Sequence, residues 1–179
     1  MSSRIKQIHI DCLAALKAPK SGLLSNPFKY WNIFDDQINE MISGKTYSYN
    51  TPSCFIEFQP GEVKNIGANI TEYRDSIWRV HLINMVLDGQ NNTMEQNLSI
   101  FDVRDFVKSV MLNANISFCS KLQQSEDRLD YKHGNIYKYI LGFKSNFLDN
   151  KGSLFDTDSG FAIADLVNPI LTDNITLLK

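Results

Sequence analysis

Apolar residues near the N-terminus recur at helical spacing. Ile5, Ile8, Cys12 and Leu16 share one face, Ser2 or Ser3 can cap the start, and Pro19 with Ser21-Gly22 ends the run. Leu23 to Lys29 has no period and reads as a loop. From Tyr30 to Ser43, Ile33/Phe34, Ile38 and Met41/Ile42 form a helix-like stripe with Gly44 as its stop. The aromatics at Tyr30 to Phe34 equally fit the start of a strand. The period then changes to two. Cys54, Ile56 and Phe58 alternate after Pro52, and Gln59-Pro60-Gly61 is a turn. The longest alternation runs from Thr71 to Leu87. Trp78, Val80, Leu82 and Val86 share one parity, and Asp75, Arg79, His81 and Ile83 the other, so a half-buried antiparallel strand is expected.

Asp88 to Asn92 is a polar loop. Ser99 to Asn115 carries the clearest helical stripe, Phe106, Val107, Val110, Met111 and Ala114, with Asp102 and Asp105 in its first turns. A short strand is expected at Phe118 to Gln123 and a longer one at Gly134 to Phe147, joined by the polar connection Ser125 to Arg128. After that, apolar residues are scattered among Asp, Asn, Ser and Gly, which predicts an extended arm. The pattern therefore predicts an α+β domain over residues 1–148, with a mainly antiparallel sheet and helices on one side, followed by a C-terminal arm over 149–179.

Composition narrows the function classes. The chain has 179 residues with a net charge of −2, which argues against a protein that holds nucleic acid mainly by charge. No apolar run is long enough to span a bilayer, and Met1 to Lys20 lacks the apolar centre of a secretory signal. Three widely spaced cysteines, Cys12, Cys54 and Cys119, point to a reducing compartment without disulfides. Cys12 and Cys54 fall on apolar parities and are expected in the core.

Candidate chemistry is sparse. His9, His81 and His133 have no zinc-ligand spacing with one another or with a cysteine. Asp156 to Gly160 looks like part of a calcium loop, but Val167 stands where the bidentate Glu belongs. Asp35-Asp36 and the group Glu126, Asp127 and Asp130 read as solvated faces. No phosphate-binding glycine loop or nucleophile elbow is present in the sequence. Tyr137, Tyr139 and Phe143 lie opposite in parity to Lys138 and Lys144, which favours core packing over base stacking. Glu57, Glu72 and Asp75 would have to converge in space to hold a catalytic metal. No catalytic, metal or cofactor residue is assigned.

Several short stretches, in order, resemble one family. Pro52 to Phe58 is similar to the strand ending in Glu-Phe of phage tail-completion and tail-terminator-like proteins from phages of Bacteroidetes, including crAss-like phages. Phe34-Asp35-Asp36-Gln37 resembles the Phe-Asp-Asn-Gln that precedes that strand, with Asp36 in place of Asn. Ile77 to Leu82 resembles the following strand with its valine–histidine pair, and the helix at Phe101 to Met111 fits the same order. The resemblance covers Lys29 to Phe147. It implies a non-enzymatic virion protein, made in the host cytoplasm, that forms a homo-oligomeric ring at the head–tail (portal–tail) junction or the tail end. Its partners would be portal or other connector and tail proteins, with no membrane, and DNA would pass through the lumen without sequence-specific contact. Within that reading Phe155, Phe161, Ile163 and Leu166 are expected as interface anchors, and the loops Gln59 to Ile70 and Asp88 to Asn97 as a second contact region. The alternative is a cytoplasmic adaptor or binding module of the same fold.

Overall fold

The computed structural model describes residues 4–18, 26–35, 50–67, 70–85, 94–130 and 136–149. Their elements are α1 (Arg4–Lys17), β1 (Tyr30–Ile33), β2 (Ser53–Gln59), β3 (Glu62–Gly67), β4 (Ile70–Met85), α2 (Met94–Asn113), β5 (Gln123–Asp130) and β6 (Ile136–Asp149). The strands form one sheet in the order β1-β2-β4-β6-β5, with β3 also on β4, in line with β2. Only β1 and β2 pair in parallel; every other pairing is antiparallel. The fold is α+β, with a mainly antiparallel sheet and both described helices on one face, as the alternation of periods predicts.

That face is set by register. Cys54, Leu82 and Tyr139 lie side by side across β2, β4 and β6, as do Ile56, Val80 and Leu141, and then Phe58, Trp78 and Phe143. Against these rows α1 places Ile8, Cys12 and Leu16, and α2 places Val103, Phe106, Val107, Val110 and Met111, all in one core. Burying a side chain of the size of Trp78 or Phe143 stabilises by about 1.5–3 kcal/mol. Cys12 and Cys54 are fully buried in this core, and Tyr139 and Phe143 pack there too.

Four segments differ from expectation. Tyr30–Ile33 is a strand on the edge of the sheet, so the strand reading of the aromatics holds for it; the rest of the expected helix lies outside the described residues. Glu62–Gly67, inside the expected loop Gln59 to Ile70, is a strand. Gln123–Asp130 is also a strand, although its middle reads as a polar connection; the strand expected at Phe118 to Gln123 is reduced to one bridge, Cys119 to Phe147. Both unexpected strands are held by the ladder of a longer neighbour and not by an apolar face of their own. Finally β6 runs through Asp149, so residue 149 of the expected arm belongs to the sheet, and the rest of that stretch lies outside the described residues.

Candidate functional site

β2, β3 and β4 make one long hairpin with two unlike halves. In the proximal half, β2 residues Ser53 to Ile56 are buried against β4. In the distal half every residue of β3 is exposed. The halves meet at a double irregularity. On the rising side, Pro60-Gly61 separates β2 from β3. On the returning side, a bulge between Tyr73 and Ser76 puts Asp75 in the left-handed region at φ 50°. Gly61 is required there, because a Cβ would sit 2.0 Å from the Arg74 carbonyl oxygen. Its N–H donates to Ser76 Oγ at 3.2 Å, and the Asp75 N–H donates to Asn146 Oδ1 at 2.7 Å. The extra residue reverses parity, so Tyr73 joins the core side and stacks on Phe147 with ring centroids 4.6 Å apart.

Beyond this joint β3 is an edge strand. Among the described residues it pairs with β4 alone, and Val63 and Ile66 are 54% and 49% exposed. An edge of this kind offers unpaired N–H and C=O groups and two apolar side chains to another strand. At the same end of the sheet, Arg4, Ile70, Phe118, Asn146, Phe147 and Leu148 line an open groove of about 400 Å³.

The sheet face opposite the helices carries a row of charge. Arg79 Nε and Nη2 donate to the two carboxylate oxygens of Glu126 at 2.9 and 2.7 Å, and Nη1 lies 3.8 Å from Glu57. Glu126 reaches Arg79 by crossing β6 directly over Gly142, where a Cβ would come within 2.8 Å of the Glu126 Cβ. The Arg79 hydrogen bonds hold the Glu126 carboxyl below its ordinary value, against the opposing effect of burial. Glu57 turns to His81, whose Nε2 lies 2.8 Å away, and the Phe34 ring stacks on the imidazole at 3.9 Å. Burial lowers the His81 pKa to about 4 despite the hydrogen bond to Glu57, so near neutral pH the ring is uncharged and Nε2–H donates to the carboxylate.

This row could in principle serve chemistry, since a carboxylate orients an imidazole. His81 is only 3% exposed, however, and Ser53 on the same face is fully buried; among the described residues neither His81 Nδ1 nor Ser53 Oγ has a hydrogen-bond partner. Glu57, Glu72 and Asp75 do not converge. Glu72 pairs with Arg74 at 2.7 Å and Asp75 lies 3.4 Å from Lys144, while Glu57 joins the row around Arg79. Among the described residues no three His, Cys, Asp or Glu side chains are placed to hold a metal. Burial raises the thiol pKa of Cys12 and Cys54, and that of Cys119 less completely, so none is thiolate-like near neutral pH.

The acidic group of β5 is only in part the solvated face expected of it, because its carboxylates are also tied to arginines. Its residues alternate across the sheet: Glu126 binds Arg79, whereas Asp127 on the helix side binds Arg104 of α2 and accepts from Tyr139 Oη at 2.5 Å. Burial opposes ionisation of Asp127, but the bonds from Arg104, Tyr139 and Gln124 keep its pKa low. No local pattern signals either tie: Arg104 also pairs with its neighbour Asp105, and Arg79 and Glu126 lie 47 residues apart.

Phe155, Phe161, Ile163 and Leu166 lie outside the described residues, as do the Asp156 to Gly160 stretch, His133, Asp36 and the loop Asp88 to Asn92. Among the described residues no helix is long and apolar enough to cross a membrane. No family model matches the chain, and no curated protein matches it.

Proposed function

We propose that this chain is a non-enzymatic structural subunit of a bacteriophage particle, assembling as a homo-oligomeric ring at the head–tail junction or the tail end. The observation that carries the reading is the outer edge of β3, six exposed residues that pair on one side only among the described residues, on a hairpin half beyond the helix-covered core. A ring requires one patch that meets a different patch on the next copy until the rotation closes. A strand edge supplies such a patch through backbone hydrogen bonds, and Val63 and Ile66 add apolar contact. Portal or tail proteins would meet the same ring above and below. Phe155, Phe161, Ile163 and Leu166 serve as further anchors on a neighbour. DNA crosses the lumen without base-specific contact, in keeping with a net charge of −2.

Size-exclusion chromatography with light scattering, followed by negative-stain microscopy, tests the proposal. A closed ring of defined mass is expected, alone or on addition of the portal or tail proteins encoded beside it. A chain that stays monomeric at high concentration with all of them present overturns the ring.

A further inference from the structure

On the side away from β3 the sheet ends at β5, which among the described residues pairs with β6 alone. β3 is antiparallel to β4, β4 to β6 and β6 to β5, so β3 and β5 run in opposite directions. A second copy set beside the first in the same orientation therefore brings its β3 antiparallel to the outer edge of β5. Both helix layers then lie on one side of a continuous sheet. β1 cannot receive β3 in this way, because both strands lie on the same side of β4.

Charge selects the register of such a contact. Val63 lies opposite Tyr73, which packs on the helix-side core, so Glu62 and Lys64 share the other face. Glu126 and Arg128 of β5 share that same face, while Asp127 turns to the helices. Antiparallel strands set residues of one face opposite each other. One register puts Lys64 against Glu126 and Glu62 against the exposed Arg128. A slip of two residues one way puts Lys64 against Arg128, and the other way puts Glu62 against Glu126; like charges directly opposite destabilise. In the matched register Val63 is also diagonal to the half-buried Leu129. The matched register suits closure as well. Lys64 is level with Leu148 of β6 through Glu72, and Glu126 is level with Gly142. Each copy is thus displaced along the strands by six residues, roughly 20 Å. The four strands β3, β4, β6 and β5 make each copy roughly 19 Å wide. The strands then lean about 45° from the ring axis, close to the inclination of closed sheets.

We infer that β3 of one copy adds to the outer edge of β5 of the next, with Lys64 opposite Glu126 and Glu62 opposite Arg128. This pairing deepens the ring reading, on which it rests, by naming the surface that receives β3. Glu126, bound to Arg79 within its own sheet, takes Lys64 of the neighbouring copy on its outer side. Two β3 strands paired with each other also match Glu62 with Lys64, but that contact closes at two copies and builds no ring.

The test is a disulfide in the full-length chain, Glu62→Cys with Arg128→Cys and Cys119→Ser. Within one chain β4 and β6 hold the two positions roughly 14 Å or more apart, beyond the reach of a disulfide, so a bond between them joins two copies. Peptide mapping after oxidation is read beside light scattering. A ring whose neighbouring copies are linked from position 62 to position 128 is expected. A ring without that link, or with position 62 linked to position 62, overturns the inference and leaves the ring standing. Copies linked from 62 to 128 that never close into a ring uphold the pairing and overturn the ring. No assembly even of the unchanged chain, with the portal and tail proteins present, overturns both. A charge swap keeps the pairing open to refutation if the cysteine variant fails to fold. Arg128→Glu is expected to raise the concentration needed for assembly about fivefold or more, and Glu62→Arg in the same chain to restore it. Absence of that restoration overturns the pairing.

Discussion

The two halves of the central hairpin share a strand, β4, yet serve opposite purposes. In the proximal half Trp78, Val80 and Leu82 are fully buried beneath two helices. In the distal half the partner strand β3 buries none of its residues. The joint at Gly61 and Asp75 allows both, because a bulge bends the ladder and resets parity without breaking the strand. Stability is therefore concentrated in the first half, while β3 in the second is exposed. A change in one half should leave the property of the other nearly intact.

The strongest way to break the contrast is in the core. Trp78→Ala removes a fully buried ring, together with its indole hydrogen bond to Ser145 Oγ at 3.1 Å, and is expected to lower stability by about 3–5 kcal/mol in a urea titration. A loss no larger than that of a surface substitution would mean that the proximal half does not carry the fold.

A second test uses pH. The His81 pKa is depressed from 6.5 unfolded to about 4 folded, so the unfolded chain takes up the proton first. Stability from this site is complete above pH 6.5 and falls as the pH drops toward 4, by roughly 2–3 kcal/mol. Urea titrations across this window should show the slope in the wild type and a flatter profile in His81→Gln. Equal slopes would assign the dependence to other groups.

The ionic row gives a smaller effect. Gly142→Ala places a methyl group against Glu126 and should separate it from Arg79, at a cost of about 1–3 kcal/mol. In that background Glu126→Ala should add little, so a double-mutant cycle should be strongly non-additive. Simple additivity would show that the glycine does not serve the ion pair.

The smallest stability effect sharpens the comparison most. Val63→Lys with Ile66→Lys on the exposed edge should change unfolding by no more than about 0.5 kcal/mol, yet abolish higher-order assembly in light scattering. Retained assembly would move the contact away from β3.

Legibility followed burial. β4, α2 and the middle of β6 announced themselves because each turns a periodic apolar face to the core. β5 and β3 did not. Gln123 to Asp130 contains one apolar residue, Leu129, and Glu62 to Gly67 has no buried side to alternate against. Each is a strand because a longer neighbour, the next strand along the chain, offers it a ladder. The bulge at Asp75 was hidden for a related reason, since one inserted residue leaves the local pattern readable while shifting Tyr73 to the other face.

The amino-acid sequence alone determined the two apolar periods, and through them the α+β class, the helices and the core rows of the sheet. Those depend on side chains a few positions apart, which the order of residues specifies directly. The tertiary structure decided the rest: the ion pair of Arg79 with Glu126 across a glycine, the burial of His81, the free edge of β3 and the groove beside Phe118. The ion pair, the buried histidine and the groove join groups from strands or helices far apart along the chain, so the order of residues carries no trace of them until the sheet register brings the groups together.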